Sequence, residues 1–117
     1  MGYSRSQLGL RVKIVDDSAN RANRMDVKTG SAADSESSEI RFDIGGTYVV
    51  TKEVMITARE NAMWFRLVSE DGTLNDQFYV PKNSTIAIDF AARGFTVQNY
   101  TAGETAEYHV IAEVVER

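Results

Sequence analysis

The chain has 117 residues, which is enough for one domain of ordinary size. It has no cysteine and a single histidine, so disulfides, cysteine-based zinc sites and histidine-rich metal sites are excluded, and we expect no cofactor. The formal net charge of −4 argues against a general nucleic-acid binder, which usually presents a strongly basic face. The chain also lacks both a signal-peptide pattern and an apolar run of roughly 18–20 residues, the length of a membrane span, so we expect neither nucleic acid nor membrane as a partner.

Apolar residues are unevenly distributed, and the chain divides near residue 39. Residues 1–39 contain 13 apolar residues, whereas residues 40–117 contain 37 among 78. The net charge is +3 over residues 1–28 and −3 over residues 29–39. We therefore predict an N-terminal arm, residues 1–39, followed by a β-sandwich domain, residues 40–117.

The arm shows the pattern of a half-buried strand near its start. In Leu8–Val15, every second residue from Leu8 is a large aliphatic residue, which is the period of a strand with one covered face. Met25–Val27 predicts a short second strand. Thr29–Glu39 is small, polar and acidic, which favours a flexible linker, although a long hairpin loop within one sheet fits almost equally well. Six arm residues are the predicted partner-binding residues: Arg11, Val12, Lys13, Ile14, Arg21 and Arg24.

After residue 39, strand patterns recur at short intervals. The predicted strands are Ile40–Ile44, Thr47–Ala58, Ala62–Val68, Gln77–Val80, Thr85–Phe90, Phe95–Tyr100 and Ala106–Val115. Thr47–Ala58 is too long for one flat strand, so we predict a bulge or bend near Lys52 and Glu53. Asp71-Gly72 and Arg93-Gly94 are predicted as turns.

Seven or eight strands with turns every 8–12 residues, and no helical pattern, predict an all-β fold. We predict an antiparallel two-sheet sandwich of jelly-roll or similar topology, with a small closed β-barrel as the alternative. Six residues on the apolar sides of alternating strands should be largely buried: Phe42, Ile86, Ile88, Phe90, Tyr108 and Val110.

Residues that could carry chemistry are few, and we predict that the protein is not an enzyme. His109 lies within a strand pattern beside Glu107 and Glu113, as an exposed or interfacial histidine would. The segment 71–76 offers oxygen ligands for calcium, but a plain hairpin turn fits it better. Trp64 and Phe65 should point to opposite faces of their strand, and a lone aromatic on a sheet can stack on a sugar ring or pack against a subunit.

The C-terminal half carries a resemblance in residues 78–88, 92–99 and 106–114, with the local patterns VP-x-N-S-T, R-G-x-x-V and Y-x-V. In these patterns the chain resembles small β-sandwich modules of tailed-phage virion proteins, both capsid decoration proteins and fibre or collar components. The resemblance implies a structural virion protein, a decoration or cement subunit that binds the phage head after assembly in the host cytoplasm. Its implied partner is the major capsid protein or another virion protein.

Physical arguments add an expectation of assembly. A 78-residue sandwich buries only roughly 60% of the surface of its unfolded chain, so oligomerisation or docking is a natural stabiliser. We expect a homo-oligomer, and the resemblance favours a trimer over a dimer. A basic arm ahead of an acidic body suits strand addition to a neighbour.

The alternative function is a carbohydrate- or receptor-binding sandwich module of a fibre or collar. Such a module should have exposed aromatic residues beside acidic or amide side chains on one rim. The turns at residues 71–76, 81–84 and 101–104 contain no aromatic residue, although Tyr100 borders the last of them. The absence of aromatic residues from these turns favours the structural function over the carbohydrate- or receptor-binding one.

Overall fold

The computed structural model describes residues 23–115, which form ten β-strands and no helix. The first five are β1 (Asn23–Ser31), β2 (Ile40–Arg41), β3 (Asp43–Ile44), β4 (Thr47–Tyr48) and β5 (Val50–Arg59). The others are β6 (Met63–Ser69), β7 (Phe78–Val80), β8 (Ser84–Asp89), β9 (Ala92–Asn99) and β10 (Glu107–Val115).

Eight of these strands build two four-stranded sheets. The first sheet has the order β1-β10-β5-β8, and the second has the order β2-β9-β6-β7. The strands within each sheet pair antiparallel, and the short pair β3-β4 forms a separate hairpin. Eight antiparallel strands divided between two sheets in this order form a jelly roll. The predicted all-β sandwich is confirmed.

The core lies between the two sheets. Its largest fully buried side chains are Phe42, Phe65, Phe95, Ile56, Met63, Val54, Val68, Val80, Val97, Val110 and Val114. Among the predicted core residues, Phe42 and Val110 are buried. The other four are half-buried and pack against the core: Ile86, Ile88, Phe90 and Tyr108. For Ile86 and Ile88 the reason is that β8 is an edge strand, so a neighbouring strand covers them on one side only.

Two sequence expectations about strand irregularities have different outcomes. Glu113 pairs with Glu53 and Val114 pairs with Thr51, so Lys52 is the extra residue of a bulge, as predicted. Arg93-Gly94, predicted as a turn, lies inside β9 instead. Gly94 is required there because a Cβ would lie 2.6 Å from the backbone oxygen of Ile40 in β2.

Residues 23–39 belong to the sandwich, although the sequence pattern predicts an arm over residues 1–39. β1 pairs with β10 over nine residues, and Ala32, directly after it, is buried in the core. Farther on, Ser37 donates its backbone N–H to Val97 at 2.9 Å, and Asn99 donates to the oxygen of Ala33 at 2.7 Å. The segment predicted as a flexible linker is therefore bound, with Thr29–Ser31 paired to β10 and the residues after Ala32 lying beside β9. The predicted strand Leu8–Val15 lies outside the described residues.

Candidate functional site

Three aromatic side chains meet on the outer face of the second sheet: Trp64, Tyr79 and Tyr100. We call them the aromatic cluster. The ring centroids are 6.2 Å apart for Trp64 and Tyr79, 5.3 Å for Trp64 and Tyr100, and 4.7 Å for Tyr79 and Tyr100. Tyr79 is 45% exposed and Tyr100 is 49% exposed, while Trp64 is half-buried. Since rings at these distances stabilise one another, the cluster is a fixed apolar surface in contact with solvent.

The strands bring the cluster together by alternation and register. Along β6, Phe65 is fully buried and Trp64 points outward, which confirms the predicted split of this pair. Trp64 is in register with Tyr79 on β7 and with Gln98 on β9. Tyr100 follows β9 directly, and its backbone N–H donates to the oxygen of Ala62 at 3.2 Å. The sequence alone does not indicate Tyr79, because only the register between β6 and β7 shows that it lies beside Trp64.

Two side-chain amides and one ion pair lie beside the aromatic cluster. Gln77 donates from Nε2 to Oε1 of Gln98 at 3.2 Å, and Gln98 donates to the backbone oxygen of Asp34 at 2.9 Å. On the far side of these amides, Arg66 donates from Nε to Oε2 of Glu36 at 2.7 Å. The charge of Arg66 is therefore compensated by Glu36, which lies in the segment before β2.

The acidic segment before β2 is held against the second sheet, because side chains of that sheet donate hydrogen bonds to its carboxylates. The Thr96 hydroxyl and the Arg66 guanidinium hold the pKa of Glu36 below its usual value, against the opposing effect of burial. Two hydrogen bonds from Arg93, each 2.9 Å long, hold the pKa of Glu39 below its usual value in the same way. These contacts fix the segment that passes beside the aromatic cluster.

The first sheet has a second unusual feature, because β1 turns polar side chains inward and apolar ones outward. Met25 and Val27 are 51% and 52% exposed, whereas Asp26 between them is only 8% exposed. Asp26 accepts a hydrogen bond from the backbone N–H of Asp43 at 2.9 Å, and Lys28 forms ion pairs with both carboxylates. The inward charges are thus satisfied by the β3-β4 hairpin, and the apolar side chains face outward.

Val27 begins a row of apolar residues that crosses the whole outer face of the first sheet. In register from β1 to β8, this outer apolar row consists of Val27, Ile111, Met55 and Ala87. A parallel row begins at Met25 and continues with carboxylates: Glu113, Glu53 and Asp89. The outer face of the first sheet therefore combines an apolar row with an acidic one.

Among the six predicted partner-binding residues, only Arg24 lies in the described part of the chain. It is exposed on β1, in register with Val114 and next to Met25. Five of the predicted residues lie outside the described residues: Arg11, Val12, Lys13, Ile14 and Arg21.

His109 and the segment 71–76, the other residues considered for chemistry, lie in ordinary strand and turn contacts. His109 is half-buried on β10, in register with Thr29 of β1 and Thr57 of β5. Asp71 accepts a hydrogen bond from the backbone N–H of Thr73 at 3.0 Å, as in a hairpin turn. Within residues 23–115, no group of three or more His, Cys, Asp or Glu side chains is placed to hold a metal ion. Over the same residues, no helix could cross a membrane.

Comparisons with known proteins are limited to the fold. No known protein family and no curated protein matches the chain. A chain from Bacillus endospore appendages, described as a novel family of disulfide-linked pili, is similar over 81% of this chain and 88% of its own, with 14% identity and a TM-score of 0.53. An RmlC-like cupin protein from Desulfovibrio desulfuricans aligns over 92% of this chain and 96% of its own, with 14% identity and a TM-score of 0.37, too low to carry an argument. The spore-appendage likeness shows a shared β-sandwich fold.

Proposed function

We propose that this protein is a structural subunit of a larger assembly, specifically a decoration subunit of a phage head. In this proposal, the N-terminal arm of one copy docks on the first sheet of a neighbouring copy, and the resulting homo-oligomer binds the major capsid protein and stays in the virion. The observation that carries the proposal is the reversed polarity of β1, with Met25 and Val27 exposed and Asp26 turned inward.

The outer face of the first sheet has the features of a protein-binding surface. Contiguous exposed apolar groups on a soluble domain mark interaction sites more often than isolated ones do. β1 is also an edge strand, and its free edge carries no strand partner among residues 23–115. A free edge offers backbone N–H and C=O groups to an added strand, and the exposed apolar side chains give that strand something to cover.

The arm has the chemistry to occupy this surface. Residues 1–22, the part of the predicted arm ahead of β1, directly precede Asn23. Their predicted strand Leu8–Val15 would have an apolar face that matches the outer apolar row in character. Residues 1–22 hold four basic and two acidic residues, a net charge of +2, whereas residues 23–115 hold eight basic and fourteen acidic residues, a net charge of −6. Arm and sandwich therefore attract one another, and complementary charge favours one register of docking.

The comparison with the Bacillus chain supports an assembly role in a general way. There the sandwich fold is part of an appendage described as a pilus, which is a polymer. The narrower assignment to a phage head depends on the sequence resemblance in residues 78–114.

The test is sedimentation of the purified full-length protein with phage heads that were produced without it. Val12→Asp places a charge on the apolar face of the predicted arm strand and should abolish or strongly reduce sedimentation with the heads. Val15→Asp is the matched control, because it makes the same substitution on the opposite face of that strand. Circular dichroism should show an intact β fold for both variants.

Two results would contradict the proposal. The first is a wild-type protein that does not sediment with heads. The second is a Val12→Asp variant that binds them as tightly as Val15→Asp does. Removal of residues 1–22, ending before Asn23 so that β1 stays complete, provides a second variant with the same expected loss.

A further inference from the structure

We infer that the aromatic cluster is a binding site for a neutral saccharide. In this site a pyranose ring stacks on the exposed face of Tyr79 or Tyr100, and its hydroxyl groups reach the amide of Gln77. The inference does not depend on the arm or on the outer face of the first sheet, since the cluster lies on the second sheet.

The ring arrangement suits the apolar side of a sugar. A pyranose presents several C–H groups on one face, and the negative face of an aromatic ring attracts their partial positive charge. Tyr79 and Tyr100 are each nearly half exposed, and contacts with Trp64 and with each other restrict their rotation. A stacking surface held in place in the free protein loses little conformational entropy when a ligand binds.

Polar groups suited to sugar hydroxyls lie at the margin of the cluster. The amide oxygen of Gln77 and the indole N–H of Trp64 have no hydrogen-bonding partner among residues 23–115. The hydroxyl groups of Tyr79 and Tyr100 likewise have none in that part of the chain. A few such donors and acceptors beside an apolar surface are typical of a small-molecule site and would fix the orientation of the ring.

The charge around the cluster favours a neutral ligand. A platform that stacks nucleic-acid bases is normally combined with a basic groove for the phosphates. Here the basic side chain two residues along β6 from Trp64, Arg66, is bound to Glu36 through Nε at 2.7 Å. Since its charge is already compensated, Arg66 is poorly suited to bind a phosphate or a nucleic acid beside the rings.

A saccharide also fits the size of the cluster better than a protein surface does. A stable protein interface covers about 800 Å² on each partner around an apolar centre. The cluster consists of three rings, and the side chains next to it, Gln98 and Arg66, are already hydrogen-bonded within the protein. Such a small site binds one or two sugar rings weakly, and several copies in an oligomer would bind a repeating glycan more tightly.

The experiment uses the full-length protein, first on an array of neutral hexose and N-acetylhexosamine oligosaccharides. The best-bound oligosaccharide is then titrated while tryptophan fluorescence is recorded. Trp64 is the only tryptophan of the chain, so the signal reports on the cluster alone. We expect a saturable change in fluorescence.

Variants then test the residues. Tyr79→Ala and Tyr100→Ala should each weaken binding by about fivefold or more in calorimetric titrations, because truncating an aromatic anchor typically costs that much affinity. Tyr48→Ala is the matched control, since Tyr48 is 63% exposed but lies on β4, away from the cluster. It should leave the affinity unchanged. Tyr79→Ala and Tyr100→Ala each remove two ring contacts and should lower the melting temperature slightly. Thermal unfolding therefore accompanies each titration, to show that every variant is folded at the temperature of the binding measurement.

Three outcomes would overturn the inference. One is the absence of array binding and of any fluorescence change with the oligosaccharides. Another is saccharide binding that Tyr79→Ala and Tyr100→Ala leave at wild-type strength. The third is that these two variants lose attachment to phage heads while saccharide binding is absent, which would make the cluster a protein contact.

Discussion

Arg93 and Glu39 form a bidentate ion pair, in which Nε and Nη2 of Arg93 donate to Oε2 and Oε1 of Glu39, each at 2.9 Å. The pair joins the acidic segment ahead of β2 to β9. Parallel hydrogen bonds between a guanidinium and a carboxylate also fix the relative orientation of the two groups. This contact, together with the hydrogen bonds of Glu36, holds the segment against the sandwich.

The lowered pKa values of Glu36 and Glu39 predict acid sensitivity. Because each carboxyl has a lower pKa in the folded protein than its ordinary value of 4.5, the unfolded chain binds more protons in this pH range. Their contribution to stability is therefore complete above pH 4.5 and is lost as the pH falls through the folded-state pKa. Melting temperatures measured from neutral pH into this acidic range should fall, and Glu39→Gln should melt lower at neutral pH with a weaker dependence on pH. Parallel curves for Glu39→Gln and wild type would contradict this prediction.

Core truncations should separate central from edge strands. Ile56 on the central strand β5 is fully buried, and Ile56→Ala should lower the free energy of unfolding by about 2–5 kcal/mol. Ile88 is half-buried on the edge strand β8, so Ile88→Ala should cost clearly less. Urea unfolding of both variants measures the difference. An equal or larger loss for Ile88→Ala would mean that β8 is covered more fully than the structure shows.

Gly94 should tolerate no larger residue. In Gly94→Ala the new Cβ would lie 2.6 Å from the backbone oxygen of Ile40, so β2 would have to move away from β9. We expect a loss of about 1–3 kcal/mol in unfolding free energy, as for other overpacked sites. The new Cβ would also lie 2.6 Å from Oε2 of Glu39, and Glu39→Ala removes that part of the clash. In the Glu39→Ala background, Gly94→Ala should therefore still lower the stability, because the clash with the backbone remains. Wild-type stability of Gly94→Ala would show that β2 and β9 are farther apart than described.

Local alternation was enough to predict the sandwich and the bulge at Lys52, because each side chain of a strand faces either the core or the outside. It was not enough for β1, since Met25 and Val27 face outward and Asp26 faces inward. The reason for this reversal is a tertiary contact, in which the backbone N–H of Asp43 donates a hydrogen bond to the Asp26 carboxylate. The binding of the predicted linker was also not visible in local sequence, because its hydrogen bonds to β9 and its ion pairs with Arg66 and Arg93 join residues far apart in the chain.

The candidate site was predictable only in part. The alternation at residues 64 and 65 indicated that Trp64 points outward, and Tyr100 was recognised at the edge of a turn. Their contact with Tyr79 depends on which strands are neighbours, and the order β9-β6-β7 is a property of the whole fold. A binding module is expected to carry exposed aromatic residues in its turns, whereas the aromatic cluster lies on the outer face of the second sheet.

The oligomeric state is a separate prediction. If the arm docks on a neighbouring copy, the full-length protein should be a homo-oligomer at micromolar concentration, and the family resemblance favours a trimer. Val12→Asp should shift it towards the monomer, while Val15→Asp should not. Size-exclusion chromatography with light scattering measures all three proteins. A wild-type monomer under these conditions would contradict the assembly model.

The arm of one copy should lie on the first sheet of another, and cross-linking between copies detects that contact. The chain has no cysteine, so each introduced thiol reports only on its own position. One copy carries Val12→Cys, and a second copy with a larger tag carries Val27→Cys, which lies on the outer face of β1 where the native side chain is 52% exposed. With a flexible bifunctional maleimide, we predict a cross-link between the two copies, and we expect Val15→Asp in the arm to preserve it. A chain that carries both Val12→Cys and Val27→Cys is the control. If that chain cross-links only within itself and the mixed copies do not cross-link, the arm folds back on its own sandwich and docking on a neighbour is wrong.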